Sequence, residues 1–487
     1  MAAEPQQSPQ PQKVSTHEAL TRGFALHQAG KRKEAEAIYR SVLQAQPNHA
    51  DALHLLGVSR RQSGNPKEAI ELIRKAIGLV PDNPIYMSNL GTAFEAAGEN
   101  DNAVAAYRRA IKMKPDHAES YHKLAMLLDK MQKPQEAIGA LKRATDLKSD
   151  NGDWYLELGR MLTALKRHDL AVAPLQRAVA LLPNNGDAHH KLGIALYAMK
   201  RPEEALAEHR RAVELKPDLD AAYFAIATVF MDAGDPQKLL DECDRLLALD
   251  PGNRRIISSK ICALQDLGRH DEARALLDLD HFIRPVEIEV PEGFASVEEF
   301  NKVLSDEVRN HPTLVFEKSG HATKFGGHTG NILPNAGPAV AALEKIMRRE
   351  SENYMREVEI PSGHPFADGK PDKWKLQSWA VVMDVKGHQV PHIHPAAWLS
   401  GVYYPKIPPA APNQTDPHAG WIEFGRPQEN MAVKSEPDLR LIKPKEGMMI
   451  LFPAYFYHMT IPIETTEQRI SIAFDVLSEK NAGKSPY

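Results

Sequence analysis

Residues 51–81 read DALHLLGVSRRQSGNPKEAIELIRKAIGLVP, and this stretch decides the fold of the first half of the chain. Apolar residues recur at helical spacing on both sides of a Gly64-Asn65 turn, which predicts two helices folded into a hairpin. The same text returns every 34 residues. Proline stands at Pro47, Pro81, Pro115, Pro183, Pro217 and Pro251, and Ser149 fills the gap on the grid. Twelve residues earlier come Ala35, Ala69, Ala103, Ala137, Ala171 and Ala205, with Leu239 as the exception. Twelve residues before those come Gly23, Gly57, Gly91, Ala125, Gly159, Gly193 and Ala227. Small residues at a crossing let two helices approach closely, and proline closes the second helix before the next begins. Seven units keep step, and a weaker eighth from Arg254 (RRIISSKICALQDLGRHDEARALLDLD) caps the series.

This pattern resembles the tetratricopeptide repeat family over about residues 16 to 251. The resemblance implies a solenoid that binds an extended peptide or another protein along a concave face lined by the first helix of each hairpin. At the second position of that helix stand Asp51, Ile85, Glu119, Asp153, Asp187 and Ala221. The fifth and sixth positions include His54, Asn89, His122, Lys123, His190 and Lys191. The plain reading is a solvated helix face, with a basic or mixed-charge peptide ligand as the alternative.

Composition bounds the rest. With 43% apolar and 25% charged residues the chain is globular in character, and 487 residues predict more than one domain. A net charge of −4 argues against a general nucleic-acid or membrane-surface binder. Two cysteines, Cys243 and Cys262, are too few for a disulfide framework and read as buried small residues. Residues 1–15 read as a disordered Pro- and Gln-rich tail, and no apolar run is long enough to span a bilayer. The expectation is a cytoplasmic protein with no membrane or nucleic-acid partner.

From about Asp280 the grid stops. HFIRPVEIEVPEG reads as a linker or first strand, and residues 297–310 and 337–357 carry helical periodicity. Between them GHATKFGGHTGNILP reads as a loop, and its His321, Lys324, His328 and Asn331 either cover an active-site mouth or form plain surface. After Trp374 come short strand-like runs: LQSWAVVMDV, WLSGVYYP, GWIEFG, LRLIKP, GMMILFP and RISIAFDV. Strands after helices suggest an antiparallel barrel or jelly roll with supporting helices. The expected organisation is therefore a tail (1–15), a repeat array (16–279) and a barrel domain (280–487).

Two passages in the barrel carry chemistry. In GHQVPHIHPAAWLSGVYYP (387–405), His392 and His394 are one residue apart, so an extended backbone turns both imidazoles to one side. In GMMILFPAYFYHMTIPIETTEQRISIAF (447–474), His458 follows a buried strand, Arg469 comes eleven residues later, and Ser471 shares the arginine's strand face. A non-haem iron site needs a few protein ligands with positions left open, and imidazole suits Fe(II). A cosubstrate carboxylate needs a fork-shaped cation, which arginine supplies. A lone His-x-His carries little weight; joined to His458, Arg469 and Ser471, each element fills a separate role.

The pattern H-x-H-P…W-L-S-G-V-Y-Y…L-F-P…H…R-x-S-I-A-F resembles the 2-oxoglutarate/Fe(II)-dependent oxygenases over about residues 286 to 478. The resemblance implies a double-stranded β-helix, Fe(II) and 2-oxoglutarate as cosubstrate. By motif it implies His392 and His458 as metal ligands and Arg469 with Ser471 at the 2-oxoglutarate carboxylate, Tyr404 being a further candidate there. It also implies a hydroxylase, with a protein or peptide delivered by the array as the favoured substrate. One departure stands out: His394 occupies the place where the superfamily usually has a carboxylate. His394 completes a three-histidine site in the favoured reading, with Glu423 or Asp384 as alternatives. Trp398, Tyr403 and Phe452 are candidate pocket or core residues, His388 reads as a turn residue and His418 as a loop residue. Two other functions remain open: a non-catalytic adaptor with a cupin-like module, and a three-histidine cupin dioxygenase that does without 2-oxoglutarate.

Overall fold

In the computed structural model the 34-residue grid folds into helical hairpins, beginning with Thr16–Gln28 against Arg32–Ala45 and Ala50–Gln62 against Pro66–Leu79. The structure describes residues 15–316, 322–409, 416–465, 467–479 and 481; the expected tail up to residue 14 and His321 lie outside them. Local chemistry sets the helix starts. Asn83, for example, accepts from the backbone N–H groups of Ile85 and Tyr86, and Pro84 takes the first helical position.

Within residues 1–208, one of two compact units, the small grid residues do what their spacing implied. Tyr39, Ile73, Tyr107 and Leu175 are fully buried beneath Gly23, Gly57, Gly91 and Gly159. A Cβ on Gly159 would fall 2.3 Å from Leu175 Cγ, so the helices touch where the glycine leaves room.

The charged positions of the first helices are not simply solvated. Tyr86 donates to the Asp51 carboxylate, His54 is bonded to Asn89 at 2.8 Å, Lys123 donates to Asn89 Oδ1 at 3.4 Å, and His122 meets Glu157 at 2.9 Å. A constant period stacks equivalent positions of successive first helices, so these side chains bond from repeat to repeat. His54 and His190 are buried, and His54 stacks on Tyr86 at 4.4 Å between ring centres.

The second compact unit comprises residues 209–487. Ten strands lie among its described residues: β1 (Arg284–Glu287), β2 (Val315–Phe316), β3 (Thr323–His328), β4 (Trp374–Gln389), β5 (Leu399–Lys406), β6 (Ile422–Phe424), β7 (Arg440–Ile442), β8 (Met448–Pro453), β9 (His458–Thr460) and β10 (Arg469–Ser478). They form two antiparallel sheets, β1-β8-β5-β10-β4-β3-β2 and β7-β6-β9, a jelly-roll-like arrangement. One face of the larger sheet is apolar: Ala380, Val382, Tyr403, Leu451, Ile472 and Phe474 pack with Phe300, Leu304 and Leu343 from helices Val297–Arg309 and Pro338–Glu357. Ile257, Ile261, Leu277 and Phe282 belong to that same core, so helices near the end of the array share their packing with the barrel. Cys243 and Cys262 are buried and unbridged, as their sparse use suggested.

One expectation is overturned. The glycine-rich run read as a loop contains β3, paired with β4 from Thr323↔Gln389 to His328↔Val381. Glycine serves close approach here, since a Cβ on Gly326 would fall 2.7 Å from the Val382 carbonyl oxygen.

Gly159→Val is expected to destabilise the N-terminal unit by roughly 1–3 kcal/mol through overpacking. Gly139→Ala, in a helix where an added Cβ meets nothing, should instead stabilise by about 0.5–1 kcal/mol. Urea unfolding of both variants checks the pair. Burial pushes His54 down to about 4, Asp51 opposing. Protonation therefore favours the unfolded chain, so this contribution to stability is full above about pH 6.5 and is lost as the pH falls through 4. His54→Gln should flatten that part of the acid sensitivity, read as the change in urea midpoint between pH 7 and pH 4.5.

Candidate metal centre

β4 ends at Gln389, and an extended crossing then brings His392 opposite His458, the first residue of β9. The two exchange backbone hydrogen bonds: His392 N–H donates to the His458 carbonyl at 3.1 Å and His458 N–H to the His392 carbonyl at 3.0 Å. His394 N–H donates to the Ala454 carbonyl at 2.9 Å. One nitrogen from each of the three rings lies within 4.8 Å of the others, and all three residues are buried. The sequence-derived trio is thus brought together.

Each ring has a defined tautomer. His392 Nδ1 lies 2.8 Å from the Val390 carbonyl oxygen, His458 Nδ1 3.1 Å from that of Phe456, and His394 Nδ1 2.7 Å from Asp475 Oδ1. A carbonyl or carboxylate oxygen only accepts, so Nδ1 carries the hydrogen and Nε2 the lone pair. Burial, reinforced by the neighbouring rings, pushes His392 down to about 3 and His458 well below the usual imidazole range. Three imidazoles at this separation fit a divalent transition metal.

Beside them, β10 turns Arg469, Ser471, Ala473 and Asp475 to one face, and β5 turns Ser400, Val402 and Tyr404 to the same side. The Arg469 guanidinium is buried, lies 5.3 Å from the centre of the Tyr404 ring and donates through Nη1 to the Gly420 carbonyl. Its Nε has no hydrogen-bond partner among the described residues. Burial holds this guanidinium below its usual range against the opposing effect of Tyr404, and pushes the Tyr404 hydroxyl up to about 12. Tyr404, Ser471 and Phe452 line a cavity of about 20 Å³ together with the three histidines.

Other candidates lie elsewhere. Tyr403 donates to Asn301 Oδ1, and Trp398 donates to the Phe366 carbonyl while stacking on the Phe366 ring at 4.5 Å. Both are buried in the core shared with the helices, and neither lines the cavity. Phe424 pairs with His458, which sets Glu423 one step out of phase, and Arg426 takes the Glu423 carboxylate. Asp384 is exposed and accepts from Gln468. Among the described residues, the cluster able to hold a metal is the three histidines. His388 sits in β4 rather than a turn, and His418 is exposed beside Trp421. Lys324 and His328 belong to β3, and Asn331 Oδ1 accepts from Ser378 N–H.

Two residues were missed from sequence. Asp475 is fully buried, although its parity with Arg469 and Ser471 already placed it on the same strand face. Arg255, on helix Arg254–Asp266, grips the Asp220 carboxylate at 2.9 and 3.1 Å and donates to the Tyr457 hydroxyl at 3.2 Å. No local signal marks that contact, since 202 residues separate the partners. Arg255→Ala should lower the stability of the C-terminal unit by about 3 kcal/mol, the usual order for breaking a buried ion pair. Denaturant unfolding checks this; a loss below about 1 kcal/mol contradicts it.

Comparison with known proteins agrees with both halves. Residues 377–475 match the family described as "Putative 2OG-Fe(II) oxygenase". Residues 20–84, 122–186 and 190–254 match one tetratricopeptide repeat family, and 86–117 match another. No curated protein matches the chain. Among solved structures, MamA protein is 23% identical over 34% of this chain and 92% of its own, with a TM-score of 0.32. Pseudomonas aeruginosa pilF is 19% identical over 42% and 94%, with a TM-score of 0.38. The C-terminal part of a TPR repeat-containing protein from Cytophaga hutchinsonii is 16% identical over 49% and 98%, with a TM-score of 0.43.

Proposed function

We propose that this chain, a tetratricopeptide-repeat protein carrying a C-terminal 2OG-Fe(II) oxygenase-type domain, is an Fe(II)- and 2-oxoglutarate-dependent dioxygenase that hydroxylates a protein or peptide recruited by the repeats. The observation that carries the reading is the cluster itself: three buried imidazoles, each with Nδ1 held by an oxygen acceptor, beside a strand that carries a buried arginine.

His392, His394 and His458 would hold Fe(II) through nitrogen lone pairs. Arg469, with Ser471 and Tyr404, would receive the distal carboxylate of 2-oxoglutarate. The Nε of Arg469 has a hydrogen to give, and Tyr404 stays protonated at neutral pH and can donate. Bound Fe(II) and 2-oxoglutarate supply the oxidation, in which dioxygen is reduced as the keto acid loses CO2 to give succinate and one oxygen atom enters a substrate C–H bond. Phe452, Ile422 and Val402 line the cavity with apolar surface that keeps water from the ligands. Support for a macromolecular substrate comes from the hairpin array, the kind of scaffold that presents extended surfaces to partners.

Anaerobic titration should find one Fe(II) per chain, then 2-oxoglutarate bound only to the metal-loaded protein, with succinate appearing on admission of air. His458→Ala should lower metal affinity by more than about 100-fold. Arg469→Ala should keep the metal but weaken 2-oxoglutarate roughly 10- to 100-fold, the value of a charged hydrogen bond. Metal binding without 2-oxoglutarate binding would favour a cosubstrate-free three-histidine dioxygenase, and binding of neither would leave an adaptor.

A further inference from the structure

The site holds three histidines where a carboxylate and two histidines are usual, so the ligands alone leave the metal without a compensating negative charge. A buried carboxylate nonetheless stands directly behind one of them. Asp475 is 1% exposed, and its Oδ1 accepts from His394 Nδ1 at 2.7 Å and from Ser400 Oγ at 2.6 Å. Ser400 Oγ is itself 3.0 Å from His394 Nδ1, so hydroxyl, ring and carboxylate form a closed triangle. Strand pairing builds it: Asp475 on β10 is opposite Ser400 on β5, and both face inward. The other two histidines differ, since their Nδ1 groups rest on backbone carbonyls of residues two positions earlier. Asp475 Oδ2 has no hydrogen-bond partner among the described residues.

A carboxylate buried with so little hydrogen bonding is costly unless a positive charge lies near. A dication on the far nitrogen of the same imidazole is such a charge, and a carboxylate behind a ligating histidine raises the basicity of the ring and fixes its orientation.

We infer that Asp475 is a positioning residue that restores, one imidazole away from the metal, the negative charge His394 displaced from the ligand set. It holds His394 with Nε2 toward the ion, and Ser400 holds the carboxylate in place. This rests on the metal-binding reading above.

The test is Co(II) titration of the full-length protein by calorimetry and visible absorption. Wild type should bind one ion. Asp475→Asn, which keeps shape and a hydrogen-bond acceptor but not the charge, should weaken Co(II) roughly 10- to 100-fold and shift the ligand-field bands. The apo form of that variant should melt no lower than wild type, because a buried charge has been removed. The double variant His394→Asp/Asp475→Asn, with the carboxylate moved onto the metal, should recover most of the lost affinity, a non-additivity that general loosening of the fold does not produce. If wild type binds and Asp475→Asn binds within twofold of it, the role of Asp475 is refuted while the metal site stands. If wild type binds no metal, both fall. A double variant no better than Asp475→Asn alone also overturns the assignment.

Discussion

The reciprocal backbone hydrogen bonds between His392 and His458 are the constraint on which the site depends. They join the crossing that follows β4, a strand of the larger sheet, to β9, a strand of the smaller one, at the point where the clustered histidines emerge. Each bond is worth only about 1 kcal/mol net. Their value is positional: with the backbones paired, the two rings stand 4.2 Å apart between centres, and alternation along the extended chain turns His394 to the same side. The bond from His394 N–H to the Ala454 carbonyl repeats the device one residue pair further along.

That pairing is braced from behind. Tyr457, next to His458, is held by Arg255, and Tyr455 donates to the Leu276 carbonyl, so residues flanking this histidine rest on helices of repeat type. The apolar core runs across the same junction, from Ile257 and Ile261 to Phe456 and Trp398. The repeat text stops near residue 280, yet the packing does not, because helices near the end of the array bury their apolar residues against the barrel. Among the charged residues buried in this unit are Arg255, paired with Asp220; Asp475, hydrogen-bonded to a histidine; and Arg469, whose Nε has no hydrogen-bond partner among the described residues. Burying charge costs stability, and the last two lie on the β10 strand that packs beside the histidine cluster.

Much was legible in the sequence because it depends on local period. The 34-residue grid gave the hairpins, since a glycine or alanine is needed wherever two helices cross. His392 and His394 could be placed on one side by alternation alone, and Arg469 with Ser471 likewise. The same parity rule, carried two steps further, would have reached Asp475. Sequence reading fails where glycine has two uses: a glycine-rich run suggests a loop, whereas Gly326 lies inside a strand, where its missing Cβ allows close approach to β4. It was also too plain for His54 and His122, whose partners lie one repeat away.

The sequence by itself therefore determined the repeat fold, the inward faces of the barrel strands and the residue types of the site, because periods of 34, 3.6 and 2 are properties of neighbouring residues. Only the tertiary structure decided that Glu423 and Asp384 stand apart while three histidines converge, that Tyr404 rather than Tyr403 meets the arginine, and that Arg255 reaches Tyr457. Those outcomes depend on strand register and on contacts between residues far apart in the chain, and a one-residue change of register would reverse each face.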